Sequence, residues 1–304
     1  MSLFTDVADI LAHLELCYQL FPWLRGVIGA KVVRMWTGTL RSQRSPDDFL
    51  GGNGEKLNLL NVSVMTGYSI RTGRDDALFA HYRRLLRKLE VYLRAFPELP
   101  AEKRFLEKIT NLEGLYFLAT MSELSLAYAL HQRGYRVSFE TKFKLLTTLK
   151  KRDIDLSVQT ARGNTFHVEV YMPNKLLEAD SASEQESDEY PLKVIDLKQD
   201  DESFELKIRN KLADKFGQDG HSGLNGRVFL AVNKVFMDVL HLKALLAPDT
   251  DDFRALLPLL PQGVDGLLVF EDSFESDSSL KIDCLLRKRL SASYGHPDTA
   301  KART

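Results

Sequence analysis

Cysteine is scarce in this chain. Cys17 and Cys284 are the only two in 304 residues, too few and too far apart for a disulfide framework or a thiolate metal cluster. A reducing interior compartment is expected, with the cytoplasm as the expected location. Net charge is nearly absent as well: 41 basic and 42 acidic residues leave −1, so any attraction to a polyanion has to come from local patches. No run of about 20 apolar residues occurs, which excludes an obvious membrane helix. The opening MSLFTDVADILAHLELCYQLF has no basic leader ahead of a long apolar stretch, so no signal peptide is expected. HExxH spacing, a G-x-S-x-G elbow, a Walker lysine and a dinucleotide fingerprint are also missing. What is present, 44% hydrophobic and 27% charged residues, describes a globular chain long enough for one large or two modest domains.

The first hundred residues read as mainly helical. Phe4, Val7, Ile10, Leu11, Leu14 and Tyr18 fall at helical spacing, and Leu78, Tyr82, Leu85, Leu89 and Tyr92 repeat it. Between them Arg41 to Gly54, rich in Ser, Gly, Pro and Asp, reads as a loop. Its GGNGEK lacks the GK[ST] ending and a preceding strand, and reads as a turn rather than a phosphate cradle. Arg83, Arg84, Arg87 and Lys88 form a basic cluster on a helix, best read as a solvated face.

A second unit spans residues 101–290. Ser122 is expected to cap the helix MSELSLAYALHQRG, with Leu124, Ala127 and Leu130 inward and Gly134 as the left-handed stop. YRVSFE, Tyr135 to Glu140, reads as a strand. RDIDLSVQTARGNTFHVEVYMPNK follows as two strands around a turn. After it come an acidic flexible insertion over 178–203, the helix FELKIRNKLADKFGQ with Phe204, Ile208, Leu212 and Phe216 in one stripe, and two apolar strands, GRVFLAVNKV and DGLLVFED. Residues 291–304 read as a frayed tail.

The two-strand stretch raises a chemical question. Alternation puts Asp153, Asp155, Ser157 and Gln159 on one face, with Ile154, Leu156 and Val158 on the other; His167, Glu169 and Tyr171 share the polar face of the next strand. A three-residue loop, Ala161-Arg162-Gly163, sets Asp155 opposite Glu169, Ser157 opposite His167 and Asp153 opposite Tyr171. Like charges placed opposite each other are destabilising, so a bound cation, a basic side chain, a raised pKa or plain solvent exposure has to compensate. Two carboxylates on a rigid sheet suit Mg²⁺, which keeps several waters. His167 reads as a hydrogen-bonded strand histidine.

The order of elements and these acids together resemble the PD-(D/E)XK nuclease-like superfamily. SELSLAYALHQRGYRVSFE looks like its first helix and strand, with Glu123 at the glutamate position; RDIDLSV looks like the second strand, with Asp155; FHVEVYMPNK looks like the third, with Glu169. The resemblance implies a restriction-endonuclease-like mixed sheet flanked by helices, in an α/β fold behind a mainly helical N-terminal region. It also implies Mg²⁺ or Mn²⁺ held by Asp155, Glu169 and Glu123, and phosphodiester cleavage of DNA or RNA. Where the family has its lysine this chain has Tyr171, which carries no positive charge at neutral pH. Lys211, Lys215 and Gln218 on the following helix are the candidate auxiliaries, and Lys175, beyond Pro173, is a poorer one. Lys142, Lys144, Lys150, Lys151 and Arg152 form an acid-free basic run suited to backbone phosphates. The alternative is a catalytically inactive descendant that binds nucleic acid or protein, the latter through the N-terminal helical region.

Overall fold

The computed structural model describes residues 4, 6–42, 57–112, 114–145, 148–172, 215–216, 221–234, 260, 263–272 and 280–286. The acidic insertion, most of the helix expected over 204–218, including Lys211 and Gln218, the GGNGEK turn, Lys175 and the tail lie outside these residues.

Helices occupy the first part of the chain as the spacing predicts: α1 (Val7–Leu20), α2 (Leu24–Val27), α3 (Ala30–Ser42), α4 (Leu59–Thr72), α5 (Ala77–Ala95), α6 (Lys103–Ile109) and α7 (Gly114–Gln132). Their starts are set by side-chain acceptors for otherwise unpaired amides. Asp6 accepts from the Asp9 N–H, Asn58 from that of Asn61, and Asp76 from those of Leu78 and Phe79. The buried stripe of α5 is Phe79, Tyr82, Leu85, Leu86, Leu89, Tyr92 and Leu93. Leu78, expected in it, is instead exposed at the first turn, one position off the stripe. Arg41, expected in a loop, closes α3.

Ser122 does not cap. Helix α7 starts eight residues earlier, at Gly114, and Ser122 lies inside it, fully buried, its Oγ accepting from Asn233 Nδ2 at 2.9 Å. The rest of that expectation stands: Leu124, Ala127 and Leu130 are buried, and Gly134 has φ +81°.

Seven strands among the described residues make one mixed sheet: β1 (Arg136–Leu145), β2 (Lys151–Gln159), β3 (Thr165–Tyr171), β4 (His221–Ser222), β5 (Arg227–Asn233), β6 (Gly266–Phe270) and β7 (Ile282–Leu286). Their order is β4-β1-β2-β3-β5-β6-β7. β1, β2 and β3 form an antiparallel meander, β5 and β6 add in parallel, and β4 and β7 close the edges antiparallel. β4 and β7 were not anticipated, and β1 runs five residues beyond YRVSFE, so Lys142 and Lys144 lie on a strand rather than on a connection.

The sheet is covered on both faces. Leu156, Val158, Val168, Val170, Phe229, Ala231, Leu268 and Phe270 join one buried cluster with α1, α3, α4, α5 and α7. Val228, Leu230, Val232, Leu267 and Val269 join a second with Phe143, Ile154 and Phe216 on the opposite face. That two-sided burial is why β5 and β6 read as continuous apolar runs. Among the described residues no helix is long and apolar enough to cross a membrane.

Candidate active site

The β2–β3 hairpin has the register read from its loop. Ser157 faces His167, Gln159 faces Thr165, and Gly163 takes φ +81° in the Ala161-Arg162-Gly163 loop, which the Thr160 N–H closes on the Asn164 carbonyl at 2.9 Å. His167 is the hydrogen-bonded strand histidine expected: Nδ1 meets Ser157 Oγ at 2.7 Å, and Nε2 donates to the Asn225 carbonyl at 3.2 Å. The ladder then stops at Leu156–Val168, one rung short of Asp155 and Glu169. There Asp155 Oδ2 accepts from the Val170 N–H at 2.8 Å, a side chain taking the place of a ladder bond.

The same rung is broken on the other side of β2. Phe139 pairs with Leu156 and Thr141 with Ile154, but Glu140, which would face Asp155, has φ +53° and is skipped. A non-glycine residue in the left-handed region is uncommon and turns the strand. The consequence corrects the alternation read from the sequence. Ile154 does not share a cluster with Leu156 and Val158; it packs with Phe143 in the second cluster, while Leu156 and Phe139 stay with the first. The acids at this rung therefore sit where two neighbouring strands exchange faces.

Each acid has a basic partner. Lys108 on α6 donates to both oxygens of Glu123, at 3.2 and 3.1 Å, reaches Glu140 Oε1 at 2.9 Å, and lies 3.9 Å from Asp155 Oδ1. Arg104, one helical turn earlier, meets Glu140 Oε2 at 2.7 Å and also pairs with Asp153. On the other side, Lys215 Nζ lies 2.8 Å from Oε2 of the buried Glu169. Lys215 is held there by its neighbour Phe216, fully buried and stacked on Phe143 with ring centroids 5.7 Å apart. Tyr171 is half-buried and packs against the second cluster.

Charge and burial act together at Glu123. Burial first, and then the negative charge of Asp155, push its carboxyl up to about 7, against the pull of Lys108. Lys108 is held above its ordinary value: burial works against its charge, and the carboxylates of Glu123, Asp155 and Glu140 overcome that.

Lys108, Arg104 and Glu140 were not singled out from the sequence. The available signal was RFLEKI, in which Phe105 and Ile109 are buried four apart and Arg104 and Lys108 repeat that spacing one residue earlier. Helix α6 is fixed by the turn that follows it. Trp36 Nε1 donates to the Thr110 carbonyl at 2.9 Å, and Asn58 Nδ2 to the Leu112 carbonyl at 3.0 Å.

The basic run divides. Lys142, Lys144, Lys150 and Lys151 are exposed, and Lys144 faces Lys151 directly across the β1–β2 ladder, while Arg152 is half-buried opposite Phe143. In the other cluster Arg87 is exposed, as on a solvated face, but Arg83 and Lys88 are structural. Lys88 pairs with Asp272 at 2.8 Å, Tyr92 donates to the same carboxylate at 3.1 Å, and Arg83 is taken by Ser69 and Asp75.

Among the described residues no three acids, histidines or cysteines converge to hold a metal. Asp155 and Glu169 are hard carboxylates on adjacent strands, just beyond the last paired residues, Leu156 and Val168, and carboxylate oxygens are the donors Mg²⁺ takes.

No protein-family model, curated protein or solved structure matches this chain.

Proposed function

We propose that this chain is a metal-dependent nuclease-like protein with a restriction-endonuclease-like architecture, acting on phosphodiester bonds of DNA or RNA. The observation that carries the reading is the 2.8 Å contact between Lys215 Nζ and the buried Glu169 carboxylate. It brings an ammonium from the segment after the meander to the acid whose own strand has Tyr171 where the superfamily has lysine. The element order supports the same reading: a helix bearing Glu123, an antiparallel meander bearing Asp155 and Glu169, then parallel strands. Asp155 and Glu169 would hold Mg²⁺ or Mn²⁺, with Glu123 completing or tuning the site; a bound ion of this kind acidifies water and neutralises charge developing on phosphorus. Lys215 orients the attacking water and offsets charge on the scissile phosphate. Lys142, Lys144 and Lys151, exposed on the neighbouring β1–β2 ladder, and Lys150, exposed just before β2, take flanking backbone phosphates, with Arg152 beside them. A like-charged pair such as Lys144 and Lys151 costs stability when isolated and is relieved by a polyanion.

The test is a Mg²⁺ and Mn²⁺ titration of cleavage on single- and double-stranded DNA and RNA. Wild type should cleave at least one of these, and Asp155→Ala and Lys215→Met should each lose about 100-fold or more. Undiminished cleavage by Asp155→Ala would remove the site assignment.

One observation favours a second reading, a non-catalytic module that keeps the fold to bind nucleic acid or protein. The ammonium of Lys108 already lies among Glu123, Glu140 and Asp155. Salt-dependent binding with no cleavage under either metal identifies that case. Binding through the lysine ladder then shows a salt slope that falls by about 0.7–0.9 for each lysine removed.

A further inference from the structure

Helix α6 precedes the segments that carry the nuclease-like resemblance, yet its two bases reach acids in and beside the site. Around Lys108 and Arg104 stand four carboxylates, Glu123 from α7, Glu140 from β1, and Asp153 and Asp155 from β2. Three different elements thus meet on two bases of a fourth. The Lys108 side chain is only 23% exposed, and those of Glu123 and Asp155 only 14% and 12%, so solvent screening among them is weak. Four acids against two bases leave the cluster short of positive charge even with α6 in place. Without Lys108, Glu123 and Asp155 would repel each other in a poorly solvated space. The position of the ammonium is imposed from outside the cluster, by burial of Phe105 and Ile109 and by the bonds from Trp36 and Asn58 that pin the following turn.

We propose that Lys108 is a positioning residue for the metal-dependent reaction: its ammonium assembles Glu123, Glu140 and Asp155 before any divalent ion arrives and competes with that ion for Asp155. This rests on the nuclease-like reading above. The competition has a definite sign. Removing the ammonium raises the negative charge facing an incoming cation, so metal binding strengthens while the metal-free protein weakens.

The experiment measures Mn²⁺ affinity by titration calorimetry and thermal unfolding in EDTA, for wild type, Lys108→Met and Lys108→Arg of the full chain. Lys108→Met should bind Mn²⁺ about tenfold more tightly, a change of about 1.4 kcal/mol. Its midpoint in EDTA should be lower, and Mn²⁺ should restore more of it than in wild type. Lys108→Arg, which keeps the charge, should stay close to wild type in both. If Lys108→Met does not fold, Lys108→Gln, which keeps a donor to the same carboxylates, carries the comparison. Equal or weaker Mn²⁺ binding in the folded, uncharged variant overturns the competitive role and leaves the metal-dependent reading standing. Absence of Mn²⁺ binding in every protein overturns both.

Discussion

Cys17 shows how far the interior can alter one side chain. It has no measurable exposure, and burial pushes its thiol up to about 12 from an ordinary 9.0, with a smaller opposing pull from a hydrogen bond to Ser63. In the folded chain this thiol keeps its proton at pH values where the unfolded chain has lost it. Its contribution to stability is therefore complete below pH 9.0 and is lost as pH rises toward about 12, at up to about 1.4 kcal/mol per pH unit. Burial also raises Tyr18 and Tyr92, so the Cys17 part is isolated by difference. Urea unfolding of wild type and Cys17→Ala at pH 8, 9 and 10 should show the stability gap shifting against wild type above pH 9. A gap independent of pH would mean that the thiol titrates normally. Native Cys17 should also resist alkylation at pH 8, where its thiolate is scarce, and react once urea unfolds the chain.

At the scale of elements, close backbone approaches govern what can be substituted. Gly226 precedes β5 with φ +127°, and a Cβ there would stand 2.1 Å from the Thr165 carbonyl oxygen at the start of β3. It is the point at which the parallel pairing of β5 with β3 begins, since Arg227 faces Phe166. Gly226→Ala should cost about 1–3 kcal/mol, seen as a lower urea midpoint at unchanged slope. Gly67 makes the equivalent crossing between α4 and α1, where a Cβ would lie 1.8 Å from the His13 carbonyl oxygen. Neither approach is visible from spacing, because each depends on which element arrives opposite. The hairpin is the contrasting case. Its loop length and the Gly163 position determine pairing locally, and the register through Ser157–His167 was legible. The face exchange at Glu140 and Asp155 was not, because alternation assumes that neither strand turns.

On the scale of the whole molecule, the helices of the first hundred residues and one face of the sheet share a single buried cluster. A further tie joins them at the end of β6, where Asp272 receives Lys88 and Tyr92 from α5. A fragment beginning at residue 101 would lose the part of this cluster that the N-terminal helices contribute, at about 1.5–3 kcal/mol for each large side chain left uncovered. Such a fragment should lack a cooperative thermal transition by circular dichroism and should bind a hydrophobic dye. The full chain should unfold with the helical and sheet signals changing together. Independent cooperative folding of the fragment would show that the shared cluster is not what stabilises the sheet.

Local chemistry is what the sequence determined by itself. Helical periodicity placed the N-terminal helices, continuous apolar runs marked β5 and β6 as strands covered on both faces, and loop length with Gly163 set the β2–β3 register. Each of these depends only on residues near one another in the chain. Tertiary structure decided which charges meet. Lys215 reaches Glu169 because Phe216 is stacked against Phe143. Lys108 reaches Glu123, Glu140 and Asp155 because buried neighbours and two long-range hydrogen bonds from the N-terminal region fix α6 and the turn after it. An ion pair between distant residues leaves no period in the sequence, since the chain between them is free to take many paths and packing alone selects one.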